Sequence, residues 1–120
     1  MNKSVKELWL TALRSDKYNQ GSGMLKQINS GETSYCCLGV LYEIATVVGV
    51  ASHGEPKALD SQAAQCRFVC PGESPEPHWL SPTMRTWSEL TQEDEKRLSD
   101  MNDKENKTFA EIATFVENNL

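Results

Sequence analysis

The stretch Leu38-Gly39-Val40-Leu41-Tyr42-Glu43-Ile44-Ala45-Thr46-Val47-Val48 constrains this chain most. Apolar residues occupy nearly every side of a helix drawn through it. Such a helix, starting at Ser34 or Tyr35 and stopping at Gly49, belongs at the centre of a molecule. Gly39 lowers helix propensity there by ~1 kcal/mol. A close helix crossing or a close backbone approach would explain a glycine at that position.

Other helices are marked by their caps. Ser4-Val5-Lys6-Glu7, Thr91-Gln92-Glu93-Asp94 and Thr108-Phe109-Ala110-Glu111 each read as a capping box or its Asp variant. The first predicts a helix to about residue 15 with Val5, Leu8, Trp9, Ala12 and Leu13 on one face. The second predicts a polar surface helix held by Leu98 and Met101. The third predicts a last helix with Phe109, Ile112, Ala113 and Val116 inward. Ser81-Pro82 opens a further short helix carrying Met84 and Trp87. Gly54, Pro56, Pro71, Gly72, Pro75 and Pro77 break up the middle. There only Gln65-Cys66-Arg67-Phe68-Val69-Cys70 alternates like a strand. The expectation is one mainly α domain over residues 1–120, a compact bundle of four to five short helices with a loop-rich excursion at 50–80. That excursion holds at most a small β-hairpin, α+β being the alternative.

At 120 residues such a bundle can bury a core without staples. No apolar run approaches the roughly 18 residues that cross a bilayer. The opening Met1-Asn2-Lys3-Ser4-Val5-Lys6-Glu7 lacks a long apolar segment, so a cytoplasmic setting and no membrane partner are expected. The net charge of −5 is uneven. Residues 1–35 hold five basic and three acidic groups, whereas 81–120 hold five and nine. That balance argues against duplex nucleic acid, whose affinity comes from neutralised phosphates. It leaves the first third as the place for an anion.

In that third, Arg14, Lys17, Tyr18, Gln20 and Lys26 surround Gly21 and Gly23. Arginine offers a planar fork for phosphate or carboxylate, tyrosine a stacking face, and glutamine an amide edge. The competing structural reading has Arg14 closing a helix end, Tyr18 packed on the core and the glycines making a turn. The four cysteines read as free, buried thiols. Two catalytic or metal readings stand beside that one. Cys36 or Cys37 at a helix start could be a nucleophile, with His78 as base and Asn102 or Asp103 as orienting group. The Cys66-x3-Cys70 spacing is wrong for a zinc knuckle, and no metal site is expected. Residues 100–111 match a calcium loop at the first, third and twelfth places but carry Lys104 and Glu105 where ligand and glycine belong. Trp79 and Trp87 could form a recognition surface or close a core edge.

The blocks Trp9-x-x-Ala12-Leu13-Arg14-Ser15-x-x-Tyr18-x-Gln20-Gly21-x-Gly23-x-Leu25 and Tyr35-Cys36-Cys37-Leu38-Gly39-Val40-Leu41 resemble a family of small proteins encoded by tailed phages and prophages. The likeness continues at Met101-Asn102-Asp103 and at Phe109-x-Glu111-Ile112-Ala113. The chain departs from the pattern at Asp16, where glycine is common, and in a longer 50–78 segment. The resemblance implies an origin rather than a chemistry. It also adds Asn102 and Asp103 to the ligand-site candidates, because they are shared without serving a core. By that route two polar turns would face one cleft. The expected function is therefore a non-enzymatic phage accessory protein in the host cytoplasm, without a cofactor. It would bind a small anionic, nucleotide-like ligand of host defence signalling, or a host protein, as a homo-oligomer if the pocket lies between subunits. Lys17 and Arg14 would hold phosphate, and Tyr18 would stack on a base. The alternatives are a cysteine-dependent or phosphoester hydrolase and a protein–protein interaction module.

Overall fold

In the computed structural model, which describes residues 1–120, the central helix α2 runs over Cys37–Val47. Eight of its eleven residues are buried. The backbone at Leu25 lies directly on it. A Cβ added to Gly39 would fall 1.7 Å from the Leu25 carbonyl oxygen, which only a glycine permits. The same carbonyl accepts a 3.2 Å hydrogen bond from the Cys36 amide. Leu25, fully buried, thereby fixes the entry of the following strand on the helix N-terminus.

That strand is where the structure departs from a mainly α bundle. Five helices are present, but six strands form two antiparallel sheets, so the fold is α+β. β1 (Lys26–Asn29) and β2 (Glu32–Tyr35) form a hairpin before α2 rather than in the middle segment. Ser30 and Gly31 both take positive φ (51° and 82°), the two-residue turn whose twist suits a hairpin. Tyr35, expected as a helix start, is extended. Its N–H donates to the Asn19 carbonyl at 2.8 Å and its carbonyl accepts from the Gly21 amide at 2.7 Å. The residues expected as one middle strand divide at Arg67. β5 (Ala63–Cys66) joins β1 and the edge strand β4 (Lys57–Ala58), giving the order β2-β1-β5-β4. β6 (Phe68–Val69) pairs instead with β3 (Ser52–His53).

The remaining helices pack around α2. α1 (Lys3–Arg14) lies against α2 and against α5 (Phe109–Asn119), and α4 (Gln92–Asp103) touches both α2 and α5. The short α3 (Pro82–Ser88) is capped by Ser81, with Pro82 in its first turn. Thr91 with Asp94 and Thr108 with Glu111 form the expected reciprocal capping boxes. The cap of α1 is Asn2 rather than Ser4, its side chain accepting from the Val5 amide at 3.0 Å. Trp9, fully buried, donates from its indole to the Cys37 carbonyl at 3.0 Å, tying α1 to α2. α4 is less superficial than its polarity predicts, because Glu95 and Asn102 are buried with Leu98 and Met101. Glu95 accepts from the Leu80 amide and pairs with Arg85 at 3.4 Å. Burial nevertheless pushes the Glu95 carboxyl upward. No helix is long and apolar enough to cross a membrane.

Gly39→Ala is expected to destabilise the protein by ~3 kcal/mol or more, the upper range for overpacking against backbone that cannot yield. The urea unfolding midpoint reads this directly; an unchanged midpoint would mean that the Leu25 carbonyl does not rest on the helix.

Candidate functional site

Residues 15–23 lead from α1 towards β1 as a bent strap, and the polar residues singled out in the sequence collect along it. The Gln20 carboxamide is fully engaged. Its Nε2 donates to Asn102 Oδ1 at 2.9 Å and to the Lys107 carbonyl at 2.7 Å. Its Oε1 accepts from the Phe109 amide at 3.1 Å. Asn102, 3% exposed, is the hub. Its Oδ1 also accepts from the Cys37 amide at 3.2 Å, and its Nδ2 donates to the Gly21 carbonyl and to Asp103 Oδ1, each at 2.8 Å. Asp103 Oδ1 accepts in turn from the Gly23 amide at 3.1 Å. The two polar turns therefore meet, with Gln20 and Asp103 each hydrogen-bonded to Asn102. They meet as a clamp joining the strap, α2, α4 and α5, bonded in part to one another and otherwise to backbone groups.

Arg14 stands apart from this clamp. It forms a two-pronged pair with Glu117 on α5, both contacts 3.2 Å, which holds the Glu117 carboxyl below its usual range. Lys26 is also committed, 3.0 Å from Glu43 and 5.4 Å from the centroid of the Tyr35 ring. Glu43, on α2, accepts a second contact at 3.0 Å from His53 of β3. Burial works to raise its carboxyl, but hydrogen bonds from His53 and Lys26 outweigh burial and lower it. Tyr18 packs edge-to-face on Tyr35 with ring centroids 5.1 Å apart. Lys17 makes no ion pair, unlike Arg14 and Lys26.

Lys17 borders an open groove of about 900 Å³ beside the outer edge of β2. Asn19, Gln20 and Lys26 share its wall with the hairpin from Asn29 to Tyr35, and one of its eleven lining residues is hydrophobic. Asn19 is oriented by a 3.3 Å hydrogen bond from its Nδ2 to the Thr33 carbonyl. Glu32 at the hairpin turn pairs with no cation, and the hydroxyls of Thr33 and Ser34 take no partner within the protein. Of the residues singled out in the sequence, Lys17, Gln20 and Lys26 face this groove. Arg14, Tyr18, Asn102 and Asp103 do not line it. Sequence reasoning missed Asn19, Glu32 and Ser34 here, and Glu43 and His53 beside Lys26. The glycine-containing turn Asn29-Ser30-Gly31-Glu32 was the available signal for the hairpin that carries Glu32 and Ser34.

The thiols do not form a reactive centre. Cys36 and Cys37 are buried, and burial pushes the Cys36 thiol up to about 12 and the Cys37 thiol well above its usual range. His78 is engaged elsewhere, its Nδ1 2.9 Å from the Gly23 carbonyl and its Nε2 3.5 Å from Gln65. Asn102, the orienting residue of a cysteine mechanism, is consumed by the clamp. Cys66 and Cys70 are likewise unpaired and buried. The calcium-loop reading fails because residues 100–103 are the end of α4 and Asp100 pairs with Lys96 and Lys104. Trp79 is 48% exposed, whereas Trp87 packs against the core.

Across residues 1–120 the chain matches the family model described as a domain of unknown function, DUF8296, and it belongs to that family. No curated protein and no solved structure matches it.

Asn102→Ala is expected to destabilise the fold by ~2–4 kcal/mol, since it strands the buried Cys37 amide and the Gly21 carbonyl. Asn102→Asp restores an acceptor for Cys37 but sets a second carboxylate against Asp103, and it should also lower the urea midpoint. Iodoacetamide at pH 7.5 should leave Cys36 and Cys37 unlabelled in the folded protein and modify both in denaturant, as peptide mass mapping will show. Fast labelling of either in the native state would restore the nucleophile reading.

Proposed function

We propose that this member of the family is a non-catalytic binding module that captures a small anionic molecule in the groove beside β2. The observation that carries the reading is the position of Lys17. It is a cation without a carboxylate partner, on the wall of a concavity that is almost wholly polar. A charge left unpaired near open hydroxyls and amides suits recognition of phosphate or carboxylate, with orientation supplied by neutral donors and acceptors. Gln20, Asn102 and Asp103 then act indirectly, holding the strap that forms the groove's wall, whereas Arg14, paired with Glu117 on α5, takes no part in it. Lys26 contributes only in part, since Glu43 already neutralises it.

The resemblance to small tailed-phage proteins suggests the setting: a host cell's cytoplasm, with a defence signal as the anion. Acyl or phosphoester hydrolysis through cysteine is disfavoured by the burial of both thiols. The exposed Trp79 keeps one competing reading, attachment to a host protein.

A panel of phosphate- and carboxylate-bearing small molecules, read by thermal shift and isothermal titration, tests the proposal. At least one member should raise the thermal midpoint. Lys17→Glu should weaken its binding by about tenfold or more, the worth of one charge-assisted contact. Arg14→Ala, which removes only the Glu117 pair, should leave the affinity unchanged. An unmoved midpoint with every anion, or full binding in the Lys17→Glu variant, would end the anion-capture reading.

A further inference from the structure

We infer that the groove selects a phosphorylated sugar, an anion whose body is hydroxylated and not aromatic; the inference rests on the anion-capture reading above. Three features of the lining carry it. Its free side-chain groups are of the kinds that match hydroxyls, because Thr33 and Ser34 hydroxyls and the Asn19 carboxamide oxygen can meet groups that both donate and accept. Beside them stands a second unpaired charge of opposite sign. Glu32, a carboxylate that accepts only, shares the lining with Lys17, yet the two form no ion pair. A free carboxylate repels a bare anion and rewards a ligand that presents donor hydroxyls away from its phosphate. Together Lys17 and Glu32 therefore favour a molecule with a phosphate and a polyol separated along its length.

The third feature rules against an aromatic body. Tyr35 is the one hydrophobic or aromatic residue of the lining. Its ring is already met by the Lys26 ammonium and by the Tyr18 ring in an edge-to-face pair. A nucleobase entering the groove finds one aromatic ring, already in contact with Lys26 and Tyr18, and little apolar surface to bury, so a base adds little to affinity. Sites for drug-like or aromatic ligands are lined mainly by apolar side chains, and this one is the reverse.

The test compares ribose 5-phosphate, glucose 6-phosphate, inorganic phosphate, ribose and adenosine monophosphate by isothermal titration against the full chain. At least one sugar phosphate should bind tenfold or more tighter than inorganic phosphate and than ribose, and the adenine nucleotide no tighter than ribose 5-phosphate. Glu32→Gln, at an exposed turn position, should weaken the sugar phosphate several-fold and leave inorganic phosphate unweakened. Lys17→Glu should weaken both by about tenfold or more. Sugar phosphates no tighter than inorganic phosphate, or the nucleotide tenfold tighter than ribose 5-phosphate, would overturn the selectivity and leave anion capture standing. Silence from every anion would overturn capture itself.

Discussion

The contact between the Leu25 carbonyl and Gly39 is the constraint from which the rest of the arrangement follows. Backbone on backbone at that distance leaves no room for a side chain, and it sets the chain entering β1 against the first turn of α2. Once Leu25 is seated, Lys26 begins a strand rather than continuing a loop, and the hairpin must return to Tyr35 two residues before the helix starts. The strap from Ser15 to Gly23 is then confined between that hairpin and the N-terminus of α5. The groove is the space left along the hairpin's unpaired side.

Hydrogen bonding completes what packing begins. Asn102 satisfies four groups from three parts of the chain, the Gln20 carboxamide, the Gly21 carbonyl, the Asp103 carboxylate and the Cys37 amide, the last of them buried where a lost partner is costly. A carboxamide is the side chain suited to this post, since it accepts from Cys37 and Gln20 with one end and donates to Gly21 and Asp103 with the other. Shared polar residues without a core role can therefore be internal fasteners as readily as ligand contacts. The division between the two uses falls within the strap itself. The Gln20 carboxamide is spent on α4, the Lys107 carbonyl and the start of α5, and Lys17 is left without a partner.

The parts of the fold that were legible in sequence are those governed by local rules. Thr91 with Asp94, Thr108 with Glu111, and Ser81 with Pro82 act over three residues or fewer, and each marks a real helix start. Gly39 was legible as a close approach, although only coordinates identify Leu25 as what approaches. The hairpin was not seen because its strands are short, half-buried and polar, so they lack the apolar alternation that announces a strand. Within the candidate site, Lys17 and Lys26 could be named from charge alone. Glu43 and His53 could not, because an acid inside the most apolar helix and a histidine in a loop-rich segment acquire meaning only when β3 folds against α2.

The clamp also bears on how the polypeptide is born. The Cys37 amide, sealed inside the molecule, must wait for an oxygen supplied sixty-five positions later. A ribosome that has released the hairpin and the central helix has thus delivered a half-built interior with an unanswered donor at its heart. That bond closes only once the end of the fourth helix has emerged, so this part of the interior is completed late in synthesis.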